Sequence, residues 1–159
     1  MFLGKVIKNL NKKYNYIKFR GISFNSKKCK NNDIFFAIRG NDLNGTKYID
    51  EAIRNGAKVI ISNLKFQGFN KKKILFIRSK NPRDTLSYAA SILYKQKPKN
   101  IVAVTGTNGK TSIANFYYQI LNLNKIPVAS IGTLGVLSKK FKKKTYNTSI
   151  DPIKTHEYL

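Results

Sequence analysis

Cysteine, histidine and methionine occur once each, tryptophan is missing, and only seven carboxylate side chains stand against 31 lysines and arginines. Each shortage closes off a class of protein. A lone Cys29 can build no disulfide framework, and His156, far from it in sequence, cannot join it in a metal cluster by local spacing. No stretch approaches eighteen consecutive apolar residues, so no membrane-spanning helix is expected. The opening MFLGKVIKNLNKKY is interrupted by lysines too early for a secretory signal. These absences fit a cytoplasmic protein.

What is present is enough to fold. Apolar residues make up 42% of the 159 positions and aromatics 12%, which supports a packed core and argues against a disordered chain. The length allows one ordinary domain or two small ones. The formal net charge of +24 raises nucleic-acid binding as a reading. However, lysine outnumbers arginine 26 to 5, and arginine forks are the usual instruments of base and phosphate recognition. The lysines are also spread along the chain, with tight runs only at NKKKIL and SKKFKKKTY. The charge is therefore read as mostly solvated lysine with an attraction for small anions, and nucleic acid is not expected as a partner.

Along the chain, residues 2–12 place Phe2, Val6, Ile7 and Leu10 near one face of a helix. YIKF is a candidate strand, and a polar loop from Gly21 feeds a strand at Ile34–Ile38. Thr46 can cap a helix showing Ile49, Ala52 and Ile53 on one side, and Gly56 can end it in a left-handed conformation. KVIIS is a strand, GFNKKK a turn and ILFI another strand. Asn81 can then cap a helix with Pro82 at its first position and Asp84 beside the exposed amides. KQKPKN ends that helix. The fold class expected is α/β: a small mixed α/β domain over residues 1–97, then the beginning of a P-loop ATPase α/β domain over residues 98–159, incomplete on its own.

The second unit carries the chemistry. NIVAV is apolar without alternation, as in a strand buried on both faces. TGTNGK follows, and Ile113, Phe116, Tyr117, Ile120 and Leu121 recur at helical spacing. Strand, glycine loop and helix in that order make an anion-binding device, because glycines let backbone amides turn inward and the helix start adds partial positive charge. Thr105, Gly106, Thr107, Asn108, Gly109, Lys110, Thr111 and Ser112 are the candidate ATP-binding residues. Lys110 is the candidate catalytic residue, reaching the β- and γ-phosphates, and the Thr111 hydroxyl is the candidate ligand for Mg2+. Val104 stands where the full pattern has a glycine. After Lys110 the only acids are Asp151 and Glu157, so no second metal carboxylate from a later strand is in view. IPVASIG reads as a strand, a lysine-rich hairpin follows, and Asp151 and Pro152 cap and start a last helix.

VTGTNGKT, then SIGTLG, then NTSIDPIKTHEYL together resemble the Mur ligases, and within them the branch that adds a third amino acid to UDP-N-acetylmuramoyl-L-alanyl-D-glutamate. The family's Asp-Ser-Arg stands here as Asn25, Ser26 and Lys27, ahead of NNDIFFAI. The resemblance covers essentially the whole chain, and it departs from the family pattern at Ser149, Ile150, Asn25 and Lys27. It implies ATP and Mg2+ as cofactors, UDP-N-acetylmuramoyl-dipeptide as substrate, a monomer, and a place in peptidoglycan synthesis. It implies Ser26, Asn147, Thr148 and Ser149 as contacts to the UDP-linked substrate. The implied reaction is amide-bond formation through an acyl phosphate, with meso-diaminopimelate or L-lysine as the incoming amino acid. The domain that binds this amino acid, and the later magnesium glutamate, are not matched by these residues, so the chain alone is expected to be inactive. Two other readings stay open: another Mur or folylpolyglutamate-type ligase, and a noncatalytic UDP-sugar-binding remnant.

Overall fold

The computed structural model describes residues 1–40, 44–144 and 150–159, which fall into two compact units, Met1–Lys95 and Gln96–Leu159. The first is built on a sheet. β1 (Ile22–Ser23), β2 (Asp33–Phe36), β3 (Ala57–Ser62) and β5 (Leu75–Arg78) run parallel in the order β1-β2-β3-β5, and β4 (Gly68–Phe69) adds an antiparallel edge beside β5. Every residue of β2 is buried, and so are five of the six in β3. Such runs form because parallel strands are covered on both faces.

Side-chain alternation divides this burial between two layers. On one face Phe35 and Ile60 cluster with Ile49 and Ala52 of α2 (Ile49–Arg54), together with Cys29, Ala57 and Ile74. The opposite parity carries Ile34, Phe36, Val59 and Ile61, all at most 1% exposed. On that side α3 (Pro82–Leu93) packs against β1 and β2 and also against α1 (Leu3–Val6). Leu3, Val6, Leu86, Ala89 and Ala90 are its buried side chains. Burial of each large aliphatic or aromatic side chain contributes about 1.5–3 kcal/mol.

The local signals at α3 hold: Asn81 Oδ1 accepts from the amides of Arg83 and Asp84, and Pro82 opens the helix. Gly56 ends α2 at φ +106. Elsewhere the structure departs from expectation. The helix expected over residues 2–12 is a single turn, because Ile7 closes it onto Leu3 and Asn9 adopts φ +54. YIKF contributes only an isolated antiparallel bridge, Lys18 to Phe2. The cap assigned to Thr46 belongs to Asn44, whose Oδ1 accepts from the Thr46 amide to start a 3-10 turn at Gly45–Tyr48 ahead of α2. The supposed turn GFNKKK contains β4, and the loop after Arg20 contains β1; two residues are too few to show a period.

The second unit consists of α4 (Lys110–Leu123), the hairpin sheet β6 (Ala129–Gly132), β7 (Gly135–Ser138) and β8 (Lys142–Lys143), and α5 (Pro152–Tyr158). Asp151 caps α5 through the Lys154 amide at 2.9 Å. Residues 100–105 form no strand, contrary to expectation: a doubly buried strand needs neighbours on both sides, and Ile101 and Val102 stay exposed. The apolar stripe of α4 is present, yet Ile113, Phe116, Tyr117 and Ile120 are exposed. Asn147, Thr148 and Ser149 lie outside the described residues.

Two outcomes follow from the first unit. A Cβ on Gly56 would stand 2.7 Å from Asn31 Cα, at a φ that side chains avoid. Gly56→Ala is therefore expected to destabilise the chain by about 2 kcal/mol, read as a lower urea midpoint by circular dichroism; an unchanged midpoint would contradict the packing described. The second concerns Cys29. Its burial, opposed by a hydrogen bond with Ser23 and reinforced by the charges of Asp33 and Glu51, pushes the thiol from 9.0 up to about 11. The folded chain holds this proton where the unfolded chain has lost it, so stability falls as pH rises between 9.0 and about 11. The stability difference between the native chain and Cys29→Ala should shift against the native chain across that window, and a constant difference would refute the assignment.

Candidate functional site

The loop expected to bind an anion begins and ends on glycines with positive φ, Gly106 at +147 and Gly109 at +76. Space is not the reason for glycine here, since a Cβ on either would meet nothing closer than 3.6 Å. The backbone conformation is the reason. Gly109 is the N-cap of α4, and no side chain caps that helix. α3 and α5, by contrast, are closed by Asn81 and Asp151. The first amides of a 14-residue helix therefore look for an acceptor outside the protein's side chains. An anionic oxygen fits them by hydrogen bonding and by the helix field.

Lys110 is the first residue of α4. Its ammonium bends back over the loop and donates to the carbonyls of Gly106 and Thr107, the latter at 3.0 Å. A positive charge is thus held against the glycine loop. Thr111 follows, and its hydroxyl donates to Thr133 Oγ1 at 3.3 Å. Thr133 comes from the β6–β7 turn, and α4 packs on β6. The structure therefore gathers Gly106, Thr107, Gly109, Lys110 and Thr111 into one site and adds Thr133. Thr105, Asn108 and Ser112 are exposed residues of the same segment.

The residues fit a phosphate well and a divalent cation in part. Thr111 offers a hydroxyl oxygen, but among the described residues no group of three or more His, Cys, Asp and Glu side chains comes together. His156 lies on α5; its Nδ1 is buried without a hydrogen-bond partner among the described residues, and burial first, then the charge of Lys97, lowers its pKa.

Ser26 lies in the first unit, in the segment that follows β1 and packs on α2. The Asn25 side chain accepts from the Lys27 amide and starts a 3-10 turn at Ser26–Lys28. Ser26 itself is buried, with 5% of its surface exposed. Its hydroxyl donates to Glu51 Oε2 at 2.5 Å, and its carbonyl accepts from Asn55 Nδ2 at 2.9 Å. The side chain ties this turn to α2, a role the sequence did not show because Glu51 lies 25 positions away. Thr133 was missed for a similar reason. SIGTLG stood out as a segment, but nothing in it says which side chain meets the loop.

Comparison with known proteins agrees with this geometry. Residues 104–159 match the Mur ligase middle domain. The chain is 40% identical over 131 residues to a protein of Rickettsia montanensis named UDP-N-acetylmuramoyl-L-alanyl-D-glutamate--2,6-diaminopimelate ligase, covering 80% of this chain and 26% of that one. A protein of the same name from Rickettsia bellii is 39% identical over 153 residues, covering 96% of this chain and 30% of its own length. A solved structure of a ligase with that name shares the fold at a TM-score of 0.71 and 23% identity, over 94% of this chain and 30% of that one. The chain thus spans less than a third of the length of these relatives. On the middle-domain match, the identity across both units and the shared fold, it belongs to the Mur ligase family.

Proposed function

We propose that this chain carries the UDP-substrate domain and the opening of the ATP site of a cytoplasmic ligase that adds the third amino acid to UDP-N-acetylmuramoyl-L-alanyl-D-glutamate. The observation that carries the ATP site is the uncapped, glycine-started α4 with the Lys110 ammonium held over its loop. Diaminopimelate is favoured as the incoming amino acid by the names of the relatives.

The roles of the residues follow from their chemistry. Amides of the Gly106–Ser112 segment bind the terminal phosphates. Lys110 exchanges its carbonyl partners for phosphate oxygens and neutralises charge that builds on the transferring group, a form of stabilisation that costs no reorganisation once in place. Thr111 presents its hydroxyl oxygen toward Mg2+. Bound ATP supplies the γ-phosphoryl group that activates the substrate carboxylate for attack by the amine of the amino acid. Asn147, Thr148 and Ser149 serve as contacts to the UDP-linked peptide. At the uridine end the contact falls on the turn that begins at Ser26, through its backbone or after release of the hydroxyl from Glu51.

The substrate half of the proposal is tested by titrating UDP-N-acetylmuramoyl-L-alanyl-D-glutamate into isotopically labelled chain. Saturable amide shifts are expected around Asn25–Lys28. A folded chain with no saturable shift at about millimolar ligand, the affinity of a weak complex, would refute it. The chain alone, offered ATP, Mg2+, this substrate and diaminopimelate, is expected to release no amino-acid-dependent phosphate, because its described residues form no cluster of metal-binding side chains. Amino-acid-dependent turnover would show that the residues assigned here are sufficient.

A further inference from the structure

We propose that Thr133 is a positioning residue for the Thr111 hydroxyl, aiming its oxygen at a nucleotide-bound divalent cation; the inference rests on the ATP-site reading above. A hydroxyl that ligates a metal has to present a lone pair, so its proton must go elsewhere. Thr111 is the second residue of α4, so the residue four before it, Thr107, lies in the loop outside the helix, and its carbonyl accepts from the Lys110 ammonium at 3.0 Å. The Thr111 proton goes to Thr133 Oγ1 at 3.3 Å. The choice of rotamer is thus set by an acceptor outside the loop.

That acceptor is held firmly. Thr133 and Leu134 are the two residues between the paired Gly132 and Gly135. Gly135 takes φ +95, and a Cβ there would collide with the Lys143 carbonyl of β8. The end of the turn is thus packed closely against β8. It places a hydroxyl, with both acceptor and donor capacity, beside the loop at a point 22 residues from Thr111.

The test separates metal from nucleotide. ADP affinity is measured by calorimetry with and without Mg2+ for the native chain, Thr133→Val and Thr133→Ser, each checked for native circular dichroism. Thr133→Val is expected to reduce the Mg2+-dependent gain in ADP affinity by about threefold to tenfold, the worth of one hydrogen bond. Metal-free ADP affinity should not change, and Thr133→Ser should restore the gain. An undiminished gain in Thr133→Val, or an equal loss with and without metal, would overturn the positioning role. A native chain with no Mg2+-dependent ADP binding would overturn the ATP-site reading itself, and this inference with it.

Discussion

Among the described residues no side chain caps the amides at the start of α4, and the nucleotide-site proposal rests on that open helix end. A helix end of this kind is tolerated in water and gains when an anion arrives. The two positive-φ glycines keep the loop turned so that this end stays open. Lys110 adds the charge that the amides alone lack, held by the loop's own carbonyls until a better acceptor comes. Thr111 and Thr133 form the hydroxyl side of the same site.

The first unit is held together differently. Its sheet has central strands buried on both faces, and the turn at Ser26 packs beside it on α2. The Ser26–Glu51 and Asn55–Ser26 hydrogen bonds fasten that turn to α2. Charge adds a long-range component. Among the described residues Lys154 and Glu157 form a salt bridge, while ammonium groups such as Lys8 lie over aromatic rings, 4.2 Å from the centre of Tyr88. A net charge of +24 with few carboxylates favours the approach of anions in general.

What the sequence revealed depended on how local each signal was. Asn81, Pro82 and Asp84 spell out a helix start within four positions, and the structure forms it there. TGTNGKT is equally local, so the loop and Lys110 were legible. β1 and β4 were not, because two residues carry no period. NIVAV reads as a buried strand by composition, but a strand is made by its neighbours, and none pairs with it among the described residues. Thr133 and Glu51 depend on tertiary contacts over 22 and 25 positions, and no local pattern specifies those. The α4 stripe shows the converse: its spacing identified the helix correctly, while its apolar face remains exposed.

The central claim is that the glycine loop and α4 start bind the phosphates of a nucleotide with Lys110. The most direct measurement is an amide-resolved NMR titration of the chain with ATP, repeated on Lys110→Ala. The expected result is saturable shifts concentrated at Gly106–Ser112 in the native chain and their loss in the variant, whose α4 still gives native amide signals. Saturable shifts of equal affinity in both proteins, or no saturable response at that segment in the native chain, would contradict it.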